Sequence, residues 1–158
     1  MSDDDARDGA GHGDIGLRLR MRGEERRIAS QHERLDDLCR EVYARIDKDG
    51  AAPALDEFLL FVTALDAHMT VEEDIYFPAL HGLRADAGPE LMEFVDEHVE
   101  LRADAAAVRD RLQEHDGAGA RLALDHLARR VSQHELAEED LIARITEGPV
   151  PGSGHSGL

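Results

Sequence analysis

Two nearly identical stretches of the chain combine histidine and glutamate at helical spacing. His68 opens the stretch HMTVEED, which places Glu72 four residues later. His134 opens the stretch HELAEED, which places Glu138 at the same distance. In a helix, residues four apart project from one face about one turn, or roughly 6 Å, apart. Each stretch can therefore offer an imidazole to one metal ion and a carboxylate that reaches a second ion.

Two further histidines share a fixed spacing with these stretches. His32 and His98 each lie 36 residues before the histidine that opens a stretch. Each also has a leucine three residues later, so the two halves of the chain superpose with an offset of 66 residues. The repeat predicts two helical hairpins built on one plan. In an antiparallel bundle, such a repeat can place two equivalent sets of ligands around a central pseudo-two-fold axis.

The types of these side chains favour a transition metal. Four neutral imidazoles and two carboxylates suit iron, manganese or zinc, whereas magnesium and calcium prefer all-oxygen shells. The alternative is a buried polar network that gives a bundle one specific packing. A ferritin-like centre is disfavoured, because none of the nine histidines has a glutamate three residues before it. We therefore predict six metal ligands, which are His32, His68, Glu72, His98, His134 and Glu138.

Four helices are predicted to position these side chains. Apolar residues recur at steps of three and four along segments that are separated by glycine- or proline-containing breaks. In the second segment, this apolar face continues from Glu72 to Ile75 and Ala79. Matched lengths and short connections predict an all-α, antiparallel up-down-up-down four-helix bundle over residues 15–147. The predicted helices span residues 18–47, 53–81, 89–115 and 118–146.

Composition and charge exclude several classes of function. The chain has 158 residues, of which 42% are hydrophobic and 4% aromatic, and this mix favours packed helices over sheets. A net charge of -17 argues against nucleic-acid binding and against polybasic docking on membranes. The only cysteine, Cys39, excludes an intramolecular disulfide and a cysteine-based metal site. The longest apolar run, at about residues 58–65, is too short to span a bilayer, so we expect no membrane association and a cytoplasmic location.

The remaining parts of the chain are expected to be peripheral. Residues 1–14 are acidic and rich in glycine, and residues 148–158 are rich in glycine, proline and serine, so both tails are predicted to be disordered. Cys39 lies on an apolar face and is expected to be a buried small hydrophobe. The other five histidines are assigned to the tails (His12 and His155), to C-terminal ends of helices (His81 and His115) and to an exposed surface (His126).

These residues resemble the hemerythrin-like family, also called the HHE cation-binding domain. The resemblance covers about residues 20–146 and includes the longer motif HMTVEEDIYFPAL, which begins at His68. It implies a four-helix bundle that holds a non-haem di-iron centre with an oxo or hydroxo bridge. It further implies one iron ion bound by His32 and His68, the other bound by His98 and His134, and bridges from Glu72 and Glu138.

The chain departs from the oxygen-carrying hemerythrins at two positions. Those proteins have a fifth histidine four residues after the histidine of the third helix, where this chain has Arg102. They also place the last carboxylate five residues after its histidine, which leaves Glu139 as a second choice beside Glu138. Arg102 is expected to pair with a nearby carboxylate instead. Glu73 and Glu139 are otherwise expected to be outer partners of the ligands or surface groups.

The ligand count bears on the expected function. Two octahedral iron ions need about 12 positions, and the six side chains with a bridging oxygen fill about ten of them. The two open positions favour a protein that binds or reduces a small oxidant, such as O₂, hydrogen peroxide or NO. The alternative is an iron- or oxygen-sensing protein without turnover. The electron donor is left open, and we expect a monomer or a weak dimer.

Overall fold

The described part of the chain is a bundle of four helical rods. The computed structural model describes residues 9–147, and none of these residues is in a β-strand. Helix α1 packs against α2 and α5, and α4 packs against the same two, which confirms the predicted all-α bundle. In chain order the elements are α1 (Gly9–Asp49), α2 (Ala51–Val71), a π-helical turn (Glu72–Tyr76), α3 (Phe77–Leu83), a 3-10 turn (Ala85–Ala87), α4 (Gly88–Gln113) and α5 (Gly117–Glu147).

Backbone geometry explains where the rods end. Gly50 separates α1 from α2 with a φ of 87°, a conformation that favours glycine. His115 adopts a φ of 59° in the connection between α4 and α5, at the end of the third predicted helix. Pro89 occupies the first turn of α4, where the missing N–H leaves no intrahelical hydrogen bond unmade. Short connections of this kind reverse the direction of successive rods.

The first helix is longer than its sequence pattern indicates. It begins at Gly9 rather than at the predicted Arg18. Residues 9–14 of the predicted tail are therefore helical. Arg18 also donates from Nη1 to the backbone oxygen of Ile145 on α5, 3.3 Å away. The remaining tail residues, 1–8 and 148–158, lie outside the described part.

A layer of polar side chains divides the core into two apolar clusters. One cluster lies towards the connections at Gly50 and residues 114–116 and includes Val42, Phe58 and Leu124. The other lies towards the opposite end of the bundle and includes Tyr76. The apolar faces predicted for α1, α4 and α5 are buried as expected. Among the described helices, none is both long enough and apolar enough to cross a bilayer.

The second rod contains a π-helical turn that the apolar pattern did not predict. Pro78 has no backbone N–H, and in a regular helix its ring would clash with the carbonyl four residues earlier. The N–H of Phe77 accordingly bonds to the carbonyl of Glu72, five residues earlier. This extra residue rotates the following face by about 100°. The prediction for Ile75 was therefore wrong, since it is 58% exposed while Tyr76 and Phe77 are buried.

Candidate metal centre

The structure brings all six predicted ligands into the polar layer at mid-height of the bundle. Each of them is at most 6% exposed. The potential ligand atoms form two groups, and within each group all atoms lie within 4.8 Å of one another. Both groups contain Glu72. The first group consists of His32, His68, Glu72 and Glu138, and the second consists of Glu72, His98 and His134.

The imidazoles form two close pairs, one from each helical hairpin. The Nε2 atoms of His32 and His68 are 3.1 Å apart, and those of His98 and His134 are 2.9 Å apart. Glu72 faces both pairs, because its Oε1 lies 2.6 Å from Nε2 of His68 and its Oε2 lies 3.1 Å from Nε2 of His98. A carboxylate in this position can bridge two cations.

Hydrogen bonds on the outer side of each ring set the direction of its lone pair. Every one of the four Nδ1 atoms lies within 2.8 Å of an oxygen acceptor, so each Nδ1 carries the proton and donates. The Nδ1 atoms of His32, His68, His98 and His134 donate to Glu139 (2.8 Å), Gln31 (2.7 Å), Glu73 (2.7 Å) and Glu97 (2.6 Å), respectively.

Burial keeps one ring of each pair in the form that binds metals. It lowers the pKa of His32 and of His134, because desolvation penalises the charged imidazolium more than the outer carboxylates favour it. A neutral ring that is protonated on Nδ1 presents a bare lone pair on Nε2. Within each pair, the two Nε2 atoms lie about 3 Å apart, and a cation between them makes this contact favourable.

The two inner carboxylates, Glu72 and Glu138, also favour a bound cation. Both oxygens of Glu72 and both oxygens of Glu138 are buried and have no hydrogen-bond donor in the described residues. Burial and the neighbouring Glu72 raise the pKa of Glu138 well above its usual range. An unpaired buried carboxylate is strongly unfavourable, whereas a metal ion would satisfy its oxygens. Four imidazole nitrogens and two carboxylates thus fit a transition-metal centre.

Glu138 and Glu139 differ clearly in position. Glu138 is fully buried, and its Oε2 lies 3.8 Å from Nε2 of His134. The side chain of Glu139 is 46% exposed and accepts the hydrogen bond from the outer side of His32. Helical phase therefore selects Glu138 for the interior. The expectation that Glu139 is an outer partner is confirmed.

Arg102 occupies the place of the fifth histidine and pairs with carboxylates, as expected. Its Nε donates to Asp66 at 2.8 Å, and its Nη1 donates to Glu73 at 3.0 Å. Glu73 in turn accepts the hydrogen bond from His98, so Arg102 acts on the centre through two hydrogen bonds. It supplies no ligand atom to the two groups of the polar layer.

The sequence reasoning missed two of the outer acceptors, Gln31 and Glu97. Each directly precedes a histidine of the polar layer, and the two positions are 66 residues apart, so the internal repeat relates them. The repeat alone could have marked both as equivalent. The structure adds that each bonds to the histidine of the next rod rather than to its own neighbour, so that each hairpin locks its own pair of rings.

Glu135 is a second feature that the apolar pattern did not reveal. It is only 8% exposed, although it lies outside the predicted face of its helix. Its Oε1 is buried and has no hydrogen-bond partner in the described residues. Burial, together with the charges of Asp36, Glu139 and Glu72, raises its pKa to about 8. This carboxyl group is therefore held beside the polar layer without a cationic partner.

The other singled-out residues lie away from the polar layer. Cys39 is buried, as expected, and burial raises the pKa of its thiol to about 11. His126 is exposed, as expected, with its Nε2 3.5 Å from Asp104. His81 lies in the last turn of α3, His115 lies in the connection after α4, and His12 and His155 lie where side chains are not described.

Comparisons with known proteins agree with this geometry. The family model described as the Hemerythrin HHE cation binding domain matches residues 25–145, which include all six residues of the polar layer. Neither the comparison with curated proteins nor the comparison with solved structures gives a match. The matched region covers most of the chain and the whole of the polar layer. The chain therefore belongs to the hemerythrin family of HHE cation-binding domains.

Proposed function

We propose that the protein is a non-haem di-iron protein that binds or reduces a small oxidant, such as O₂, hydrogen peroxide or NO. One iron ion is held by the first imidazole pair (His32 and His68), the other by the second pair (His98 and His134), and Glu72 and Glu138 bridge them. The observation that supports this most strongly is the position of Glu72, which directs one oxygen at each pair. Family membership favours iron over the other transition metals that suit this donor set.

The iron ions, when bound, supply the positions for the small ligand and the electrons for its reduction. The chain holds the rings in place through their Nδ1 hydrogen bonds, which fix the tautomer and raise the basicity of each ligand. Because Arg102 is engaged with Asp66 and Glu73, it leaves unfilled the position that a fifth histidine takes in the oxygen carriers. This vacancy favours reaction or ligand exchange over reversible oxygen carriage.

Aromatic side chains shield the second imidazole pair from water. Phe77 stacks on His98 with ring centroids 5.7 Å apart, and Phe94 meets His134 edge to face at 5.2 Å. Both phenylalanines are buried. A site with such walls excludes bulk water and favours small, weakly polar ligands.

Metal analysis of the reconstituted protein tests the proposal. We expect two iron ions per chain after anaerobic loading with Fe²⁺, and charge-transfer bands of an oxo-bridged di-ferric centre after oxidation. His68→Ala and His134→Ala should each lose iron, whereas the exposed His126→Ala serves as the matched control and should keep both ions. Titration with peroxide and with NO then identifies the ligand. Fewer than one iron ion per chain, or full retention in both alanine variants, would refute the ligand assignment.

A second candidate is an iron- or oxygen-sensing protein without turnover. The unpaired oxygens of Glu72 and Glu138 favour it, because metal binding would relieve their burial and so couple metal content to stability. A large fall in melting temperature on iron removal, together with no turnover of peroxide or NO, would support the sensor. Turnover of peroxide or NO by the di-iron form would instead support a protein that reduces a small oxidant.

We also propose a cytoplasmic location and a monomeric or weakly dimeric state. The high negative charge supports the low oligomeric state, because it repels other copies of the chain. Light scattering at several protein concentrations tests the oligomeric state. A stable oligomer at low concentration would contradict this part of the proposal.

A further inference from the structure

A groove between α2 and α4 opens on the surface and reaches the apolar core beside the polar layer. Its volume is about 420 Å³. Four of its lining side chains are buried, namely those of Phe58, Leu65, Met69 and Ala105. From Phe58 to Met69 the groove follows α2 for about 16 Å. A cavity of this size and depth can hold a small organic molecule.

The internal repeat provides a second groove for comparison. With the offset of 66 residues, the contact between α2 and α4 corresponds to that between α5 and α1. There, Tyr43 takes the place of Arg109, and its hydroxyl donates to Asp125 of α5 at 2.6 Å. The α1–α5 groove is lined by Tyr43 and by residues of α5 that are exposed or partly buried, so it does not reach the core. On the α2–α4 side, Arg109 and Leu59 replace this bonded pair and leave the core within reach.

The charges along the α2–α4 groove favour an anion at one end. At the end next to the polar layer, Arg102 donates to Asp66 and Glu73, which compensate its charge. Arg109 lies about 10 Å farther along α4. Its ion-pair contact within the described residues is with the adjacent Asp110, and the 3.8 Å between Nε and Oδ1 is too long for a hydrogen bond. Its guanidinium therefore has donors left for a carboxylate from outside, which it can bind through two N–H groups.

We propose that the α2–α4 groove binds a small amphipathic carboxylate, such as a medium-chain fatty acid. The carboxylate pairs with Arg109, and the alkyl chain lies against Ala105 and Ala106 in the direction of Met69. The small side chains of the two alanines leave room for it. Removal of the alkyl chain from water favours binding, and the ion pair sets its direction. This site lies outside the polar layer and does not depend on the di-iron function.

Titration of the purified chain with octanoate tests the site, with calorimetry for the affinity and the methyl NMR signals of Ala105 and Ala106 for the position. Octanoate should shift both signals, and 1-octanol, which lacks the charge, should bind about ten-fold more weakly. Arg109→Gln should weaken octanoate binding about ten-fold and leave 1-octanol binding unchanged. Arg129→Gln is the matched control, because it removes an exposed arginine from the α1–α5 groove, and it should bind octanoate as the native chain does.

A second variant tests the apolar part of the groove. Ala106→Leu fills the groove from a partly buried position and should weaken the binding of both probes at least about ten-fold. Equal binding of octanoate and 1-octanol, or an unchanged octanoate affinity in Arg109→Gln, would overturn the proposal. Octanoate that binds Ala106→Leu as tightly as the native chain, and that changes the optical spectrum of the iron-loaded protein, would be bound to the metal ions and would overturn it too.

The oligomeric state covers the remaining outcome. If neither probe binds and the native chain is a dimer that Ala106→Leu dissociates, a second copy of the chain covers the groove and the small-molecule site is wrong. Melting temperatures verify that the variants fold. Failure of the chain to bind iron would contradict the di-iron function and would leave the test of the groove unchanged.

Discussion

Replacing Glu135 by glutamine should stabilise the metal-free protein, and the gain should grow with pH. The carboxyl group of Glu135 is buried, and its neighbouring charges are carboxylates, so its pKa in the folded chain is about 8 instead of 4.5. Glutamine keeps the shape of the side chain but has no proton to lose. Any effect of ionisation at this position therefore disappears in the variant.

The sign and size of the effect follow from proton linkage. Below about pH 4.5 the folded and unfolded chains both carry the proton on Glu135, so ionisation contributes nothing to stability. Between about pH 4.5 and about pH 8 the unfolded chain loses this proton while the folded chain keeps it, so the free energy of unfolding falls. At about 1.4 kcal/mol per pH unit, the loss at pH 8 is at most about 5 kcal/mol. Because the helices can relax to admit water, we expect about 2–5 kcal/mol.

Urea unfolding of metal-free protein, followed by circular dichroism, measures this effect. Glu135→Gln and the native chain are compared at about pH 5 and at about pH 8, within the range where the linkage acts. Asp37→Asn is the control, because Asp37 is an exposed carboxylate on α1. Glu135→Gln should raise the free energy of unfolding several times more at the higher pH than at the lower one. The effect of Asp37→Asn should be the same at both pH values. A gain that is equal at both pH values, or larger at the lower one, would refute the electrostatic account of Glu135.

Three further predictions concern other parts of the molecule. Glu97→Gln removes the charged acceptor from His134 and should weaken metal binding about 10- to 100-fold in a chelator competition, and an unchanged affinity would contradict the role of this hydrogen bond. Pro78→Ala permits regular α-helical hydrogen bonds through Glu72, which changes the helical phase after this ligand, and it should lower the metal content of the chain. An unchanged metal content would mean that packing alone maintains the π-helical turn. Cys39, with a pKa of about 11 instead of 9.0, should react with a disulfide reagent about 100-fold slower than a free thiol, and reaction at the free-thiol rate would show that it is accessible.

Spacing alone determined the helices and the six residues of the polar layer. A period of 3.6 residues fixes which side chains share a face, and burial of that face is what holds a bundle together. His68 and Glu72 therefore had to lie on one face of the second rod, and the internal repeat required the same of His134 and Glu138. Periodicity also separated Glu138 from the adjacent Glu139, which the structure leaves half-exposed.

Periodicity failed where the backbone leaves the regular helix. Ile75 was predicted to be buried, but the π-helical turn rotates it outward. Pro78 is visible in the sequence, yet whether a helix kinks, stops or forms a π-helical turn at a proline depends on what packs around it. The start of α1 at Gly9 is a similar case, because glycine disfavours a helix by about 1 kcal/mol relative to alanine, so the segment gives no local sign of one.

Only the tertiary structure decided which partners meet across the helices. That Gln31 bonds to His68, and that Glu135 lies buried near Asp36 without a cation, depends on how far each helix is rotated and shifted along its neighbour. These offsets are set by the packing of many apolar side chains at once, and no local pattern encodes them. The sequence by itself thus determined the fold and the chemistry of the centre. The packing decided how its ligands are held and that one of its two sides is acidic.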